Sequence, residues 1–164
     1  MFSRVFNNRA LFEPMIDSYV DITESELSRI NANRGDVFFT RTSETQEDVG
    51  MSSVLLDDIK GCTYAGFLIR ARPINDCLLP EYCKYCFTTS KMRSNIVSKS
   101  IFTTRASLTG TGLSEISIPI PSLEKQNKIV QTLDHFEFLI SNLKTEIELR
   151  KKQYEYYREK LLTF

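Results

Sequence analysis

The chain has 164 residues, 41% of them hydrophobic, enough for one domain with a real core or a smaller domain with an appendage, and too many for a disordered chain. Lys plus Arg and Asp plus Glu stand at 21 each, so no overall positive field draws the protein onto anions without discrimination, and charge has to be read locally. No apolar run approaches the roughly 18 residues of a membrane span, and the opening MFSRVFNNR lacks the apolar centre of a secretory signal, so a cytoplasmic protein with no membrane partner is expected.

In chain order, Thr23-Glu-Ser-Glu26 has the form of a capping box and predicts a short helix over about 24–31, which Arg34-Gly-Asp36 turns out of. Val37-Phe-Phe-Thr-Arg41, Ser53-Val-Leu-Leu56 and Ala65–Arg72 are β-branched and aromatic and predict strands, the first two separated by a polar loop over 42–50. Pro80 opens a helical turn or two. A loop-rich, Ser/Thr-rich stretch then leads to a predicted strand over Ile116–Ile120, where three isoleucines alternate with period two although Pro119 and Pro121 interrupt them.

Four cysteines and one histidine raise a metal site as a possibility to weigh. Cys83-Lys-Tyr-Cys86 is a C-x-x-C, yet tetrahedral zinc would need Cys62 and Cys77 to converge on it as well. The simpler reading makes Cys83 and Cys86 reduced core residues on the Pro80 helix, with no metal and no cofactor. Catalytic motifs fail on inspection. Gly110-Thr-Gly112 has Glu115 where a dinucleotide fingerprint needs its third glycine, and Ser122-Leu-Glu-Lys125 lacks the companions of an S-x-x-K acyl-transfer site and reads more simply as a helix start. No enzyme is expected.

One segment is chemically unusual. Tyr82 to Ser114 holds no Asp or Glu, while Lys84, Lys91, Arg93, Lys99 and Arg105 are positive and a dozen Ser and Thr are interleaved. Such a run concentrates donors and positive potential where phosphates and base edges would use them. Lys91, Arg93, Asn95, Lys99, Arg105 and Thr109 are therefore candidate DNA contacts, with Arg41 and Thr42 a second contact point. Composition alone leaves a solvated basic loop equally open, and Asp36 or Glu44 would serve Arg41 as ion-pair partners.

From Ser122 onward the pattern is helical to the end. Ile129, Leu133, Phe136, Ile140, Leu143, Ile147, Arg150, Tyr154, Tyr157, Leu161 and Phe164 recur at alternating spacings of four and three, a coiled-coil seam in which Arg150 is the one charge. Ser122 is the expected N-cap, with Glu124 in the first turn and Lys160 in the last, each suited to the helix dipole. A helix of this length, on the order of 60 Å at about 1.5 Å per residue, calls for a partner helix rather than its own domain.

ISIPIPSLEKQNKIVQTLD, residues 116–134, resembles the characteristic segment of the specificity subunits of type I restriction-modification systems. Ile116, Ile118, Pro119, Pro121, Leu123, Gln126, Ile129, Val130, Leu133 and Asp134 match it, while Ser122 and Lys125 replace a proline and a glutamate. Arg34–Thr42 resembles that family's G-D-x-x-x-T-R element, and Leu79–Tyr82 and the end of the chain resemble later ones. The resemblance implies an α+β fold: a mixed target recognition domain over 1–121, then one long coiled-coil helix over 122–164. It also implies double-stranded DNA, a methyltransferase subunit and, through that, a restriction subunit as partners. With one recognition domain and one helix where the family has two of each, the chain looks like a half subunit, truncated form or fragment. Such a chain is expected to pair as a homodimer, or with another half subunit, through Ile129, Leu133, Phe136, Ile140, Leu143, Ile147, Tyr154, Tyr157 and Leu161. The alternative is an adaptor that binds the methyltransferase without reading DNA.

Overall fold

The computed structural model describes residues 2–163, so Phe164 of the predicted seam lies outside the described residues. The fold is α+β and ends in a long helix. Helices are α1 (Phe2–Asn7), α2 (Glu24–Ile30), α3 (Pro80–Cys86), α4 (Ser90–Ser98), α5 (Gly110–Ser114) and α6 (Leu123–Leu162). Strands are β1 (Ala10–Leu11), β2 (Val37–Thr40), β3 (Thr42–Ser43), β4 (Ser52–Leu55), β5 (Leu68–Ala71), β6 (Ile101–Phe102) and β7 (Ala106–Ser107). Contacts divide the chain into two units between Gln126 and Asn127.

In the first unit, a four-stranded sheet runs β1-β4-β2-β5. Val37 lies opposite both Val54 and Ala71, with β2 antiparallel to β4 and β5 and β1 parallel to β4. All four β2 residues are buried, which is why this strand reads as VFFT rather than as an alternation. Phe38 enters a cluster with Val5, Leu11, Leu55 and Leu68. Phe39 meets the edge of Phe87, which ends α3, at 5.1 Å between ring centroids. The helix before β2 begins as predicted: Thr23 and Glu26 close a reciprocal capping box. Asp36 is fully buried and accepts from Asn33 N at 2.8 Å and from both Nε and Nη2 of Arg72 at 2.7 Å, fixing the turn into β2.

Two expectations for the region after Thr88 are overturned. The stretch read as loop contains α4, α5 and the β6-β7 hairpin, which joins β3 in a second sheet ordered β3-β7-β6. Serine and threonine are weak helix formers, but Thr89 caps α4 by accepting from Met92 N, and Met92 and Ile96, four apart, bury its inner face. Conversely, Ile116–Ile120 is not a strand. Pro119 and Pro121 have no N–H to give to a ladder, and the segment is instead held by the Tyr82 hydroxyl donating to Pro119 O.

The second unit consists of α6 beyond its first turn. The helix begins where Ser122 predicts: Ser122 Oγ accepts from Lys125 N at 3.4 Å and Ser122 O from Gln126 N at 2.9 Å. Along it Phe136, Ile140, Leu143, Ile147, Tyr154, Tyr157 and Leu161 are all exposed.

Candidate nucleic-acid interface

Arg41 stands where the two sheets meet. Its amide donates to Phe67 O just before β5, and its carbonyl accepts from Leu108 N just after β7, at 2.9 and 2.8 Å. Backbone on both sides is therefore fixed, while the guanidinium is exposed and has no partner among the described residues. Thr42 follows, half-buried and opposite Ser107. The β6-β7 turn carries Arg105 toward Glu44 at 3.3 Å, both side chains largely in water, so the pair itself contributes little to stability. Thr42, Arg105 and Phe67 share the rim of an open depression of about 650 Å³ with Phe6, Glu44 and Asp48.

The remaining candidates separate into two groups. Lys91 and Asn95, four apart, lie on the exposed face of α4. Lys99 donates to Glu115, one residue past the acid-free run, at 2.5 Å, and this pairing holds the Glu115 carboxyl below its ordinary range. Thr109 caps α5 by accepting from Gly112 N at 3.0 Å. Arg93 turns inward and donates to the carbonyls of Glu47 and Val49 at 2.8 and 2.7 Å and to that of Gly50. The structure thus places Thr42 and Arg105 on one rim with Arg41 at the adjoining strand junction, sets Lys91 and Asn95 on a helix face, and gives Lys99, Thr109 and Arg93 intramolecular tasks. Phe67 is a residue that charge counting misses. It is 66% exposed beside Arg41, and its signal is an aromatic side chain directly after Gly66 at the start of a strand.

The cysteines are not brought together for a metal. Cys83 and Cys86 are buried on α3, as the Pro80 reading expects, Cys62 is buried elsewhere and Cys77 is exposed. Among the described residues no cluster of three His, Cys, Asp or Glu is placed to hold an ion, and no helix is long and apolar enough to cross a membrane.

Residues 17–149 match the family described as the type I restriction modification DNA specificity domain. Among curated proteins, 63 residues are 44% identical to the specificity subunit of the type I restriction enzyme EcoR124I/EcoR124II from Escherichia coli, covering 36% of this chain and 16% of that protein. Over 77 residues the chain is 38% identical to the type I restriction enzyme MjaIX specificity subunit of Methanocaldococcus jannaschii, covering 47% and 18%. A longer match, 29% over 119 residues, links it to the EcoKI specificity subunit of Escherichia coli K12, covering 71% and 25%. The chain spans a quarter or less of the length of these relatives. With its sheet, its proline-interrupted segment before α6 and its match over most of its length, the chain belongs to the DNA specificity domain family of type I restriction-modification systems.

Proposed function

We propose that this chain is a non-catalytic DNA-specificity module that reads one half of a bipartite, double-stranded target. Residues 1–121 act as the reader and residues 122–164 as a pairing helix. The observation that carries the reading is that a DNA specificity domain is joined to a 40-residue helix whose apolar seam is left in water, with Phe136, Ile140, Leu143 and Ile147 each more than half exposed. A seam spaced for another helix over this length is stabilised by a second such helix. The mate is a second copy, antiparallel, or another half subunit, and two-fold pairing of identical readers specifies an inverted-repeat target with a spacer.

Arg41, Thr42 and Arg105 form the reading edge, with a well-made arginine–guanine contact contributing about 1–3 kcal/mol of discrimination. Lys91 and Asn95 meet the backbone. Methylation and cleavage fall to a methyltransferase subunit and a restriction subunit that the module joins in the cytoplasm. The test is solution mass by light scattering, with the wild type expected as a dimer and Leu133→Asp with Ile140→Asp as a monomer, followed by selection from random duplex DNA. A monomeric wild type at every concentration, or a selection that yields no common sequence, would refute the reading.

A second reading, an adaptor that binds the methyltransferase subunit without reading DNA, is favoured by the ion pairs that occupy Lys99 and Arg105. It predicts capture of that subunit by the chain with no electrophoretic shift of any duplex.

A further inference from the structure

We infer that Arg93 is a positioning residue for DNA reading: held away from DNA, it fixes the loop over 44–50 that supports the reading edge, so base preference depends on a residue that touches no base. This rests on the reading edge proposed above.

The loop between β3 and β4 has no ladder of its own over Glu47–Gly50, and its carbonyls need donors. Arg93 supplies them to Glu47, Val49 and Gly50 at once. A planar guanidinium presents several N–H groups in one fork, a geometry an ammonium does not reproduce. Burial disfavours the Arg93 cation, and Asp48 beside it works in the opposite direction. A cation kept at that cost, turned toward carbonyls, is poorly placed to serve a phosphate.

The junction has no slack. Gly50 adopts φ +65°, and a Cβ there would stand 2.4 Å from Ile96 Cγ2 and 3.0 Å from Leu108 Cδ2. Gly50 N donates to Thr40 O and Met51 N to Thr40 Oγ1, each at 3.0 Å, and Thr40 is fully buried next to Arg41. Leu108 N in turn donates to Arg41 O. The loop is therefore anchored at its far end by Arg93 and at its near end by Thr42 opposite Ser107. Glu44, the partner of Arg105, lies between the two anchors. Without Arg93, the carbonyls of Glu47 and Val49 lose their donor while Gly50 stays tied to Thr40, and the segment that loosens carries Asp48, which shares the rim of the depression with Thr42 and Arg105.

The test uses the full chain and a duplex selected by the wild type. Arg93→Lys, which keeps the charge, should lose about tenfold or more of its discrimination between the selected and a scrambled duplex, with its salt dependence unchanged. Amides over 44–50 should exchange hydrogen faster while β2 and β4 stay protected. Retained discrimination with a shallower salt dependence would make Arg93 a phosphate contact and overturn the proposal. A measurement on the unaltered protein removes dependence on any variant's folding. The Arg93 guanidinium NMR signals should stay put when DNA is added while those of Arg41 move, and a shift of the Arg93 signals as large as that of Arg41 overturns it equally. If the wild type prefers no duplex, the reading edge itself fails, and faster loop exchange in Arg93→Lys would then mark a purely structural clamp.

Discussion

Gln126 and Leu79 are joined across 47 residues of sequence: the buried Gln126 Oε1 accepts from Leu79 N at 2.9 Å. The same side-chain amide donates to Cys77 O and Pro121 O, both at 2.8 Å, so every strong polar atom of a fully buried glutamine has a partner. A buried group left without its hydrogen bond costs about 1–3 kcal/mol. Gln126→Leu strands one amide and two carbonyls and should lower the stability of the first unit by roughly 3 kcal/mol in urea unfolding. Ser122→Ala, which removes a long 3.4 Å cap, should cost no more than about 1 kcal/mol. If the two variants unfold alike, the glutamine is not the fastening described.

Asp36 and Arg72 form a pair whose halves are unequally exposed. The carboxylate is 1% exposed and the guanidinium side chain 35%. Arg72→Met leaves a buried anion with the Asn33 N–H still donating to it but its guanidinium gone, whereas Asp36→Asn leaves a cation that can turn to water. Removing one partner of a buried pair costs about 3–5 kcal/mol when the other stays buried. Arg72→Met should therefore be the more damaging change, by more than about 1 kcal/mol, and a reversed order would show that solvent already screens the carboxylate.

The thiols respond to pH in a direction that burial sets. Burial pushes the Cys83 thiol up to about 12, with Cys86 adding to it, and burial likewise pushes the Tyr82 phenol up to about 12. Unfolded, these groups ionise near 9 and 10. Above pH 9 the unfolded chain therefore holds fewer protons than the folded one, and the stability these groups contribute, complete below that pH, drains away as pH rises toward 12. The melting temperature should fall between pH 9 and 11, and less steeply in Cys83→Ala. In the folded protein at pH 8 a maleimide should label exposed Cys77 quickly and the buried Cys62, Cys83 and Cys86 only after denaturant is added. Rapid labelling of more than one thiol would contradict the packing of α3.

The parts of the fold that were legible in the sequence are those where a local rule acts alone. The Thr23 capping box, the doubly buried Val37–Thr40 strand, Pro80 at a helix start and Ser122 at another each have a near-neighbour cause. β1 was not legible because two residues carry no period, and its pairing with β4 is made in three dimensions. α4 is hidden by its serines, and in Ile116–Ile120 the alternation dominates the pattern while the prolines decide the structure. For the site, the failure is one of dimension. An acid-free run counts charges along the chain, but Glu44 reaches Arg105 from 61 residues away and Glu115 reaches Lys99 from just outside the run. Arg93 sits three residues from Ile96 on the buried side of α4, a placement invisible until that helix is known.

This distinction between occupied and unoccupied cations gives the sharpest test of the interface. Lys91 is exposed on α4 and has no partner among the described residues, while Lys99 is held by Glu115. A lysine that neutralises a phosphate releases a counterion, and its loss should reduce the slope of log binding constant against log salt by about 0.9. Lys91→Ala should show that decrease and weaken selected and scrambled duplexes by the same factor, since phosphate contacts carry no base information. Lys99→Ala should leave the slope nearly unchanged, because in the free protein its charge is already neutralised. Glu115→Gln, which frees Lys99, should then steepen the slope if Lys99 lies within reach of the duplex. A Lys91→Ala protein with an altered base preference and an unchanged slope would move Lys91 from the backbone to the reading edge.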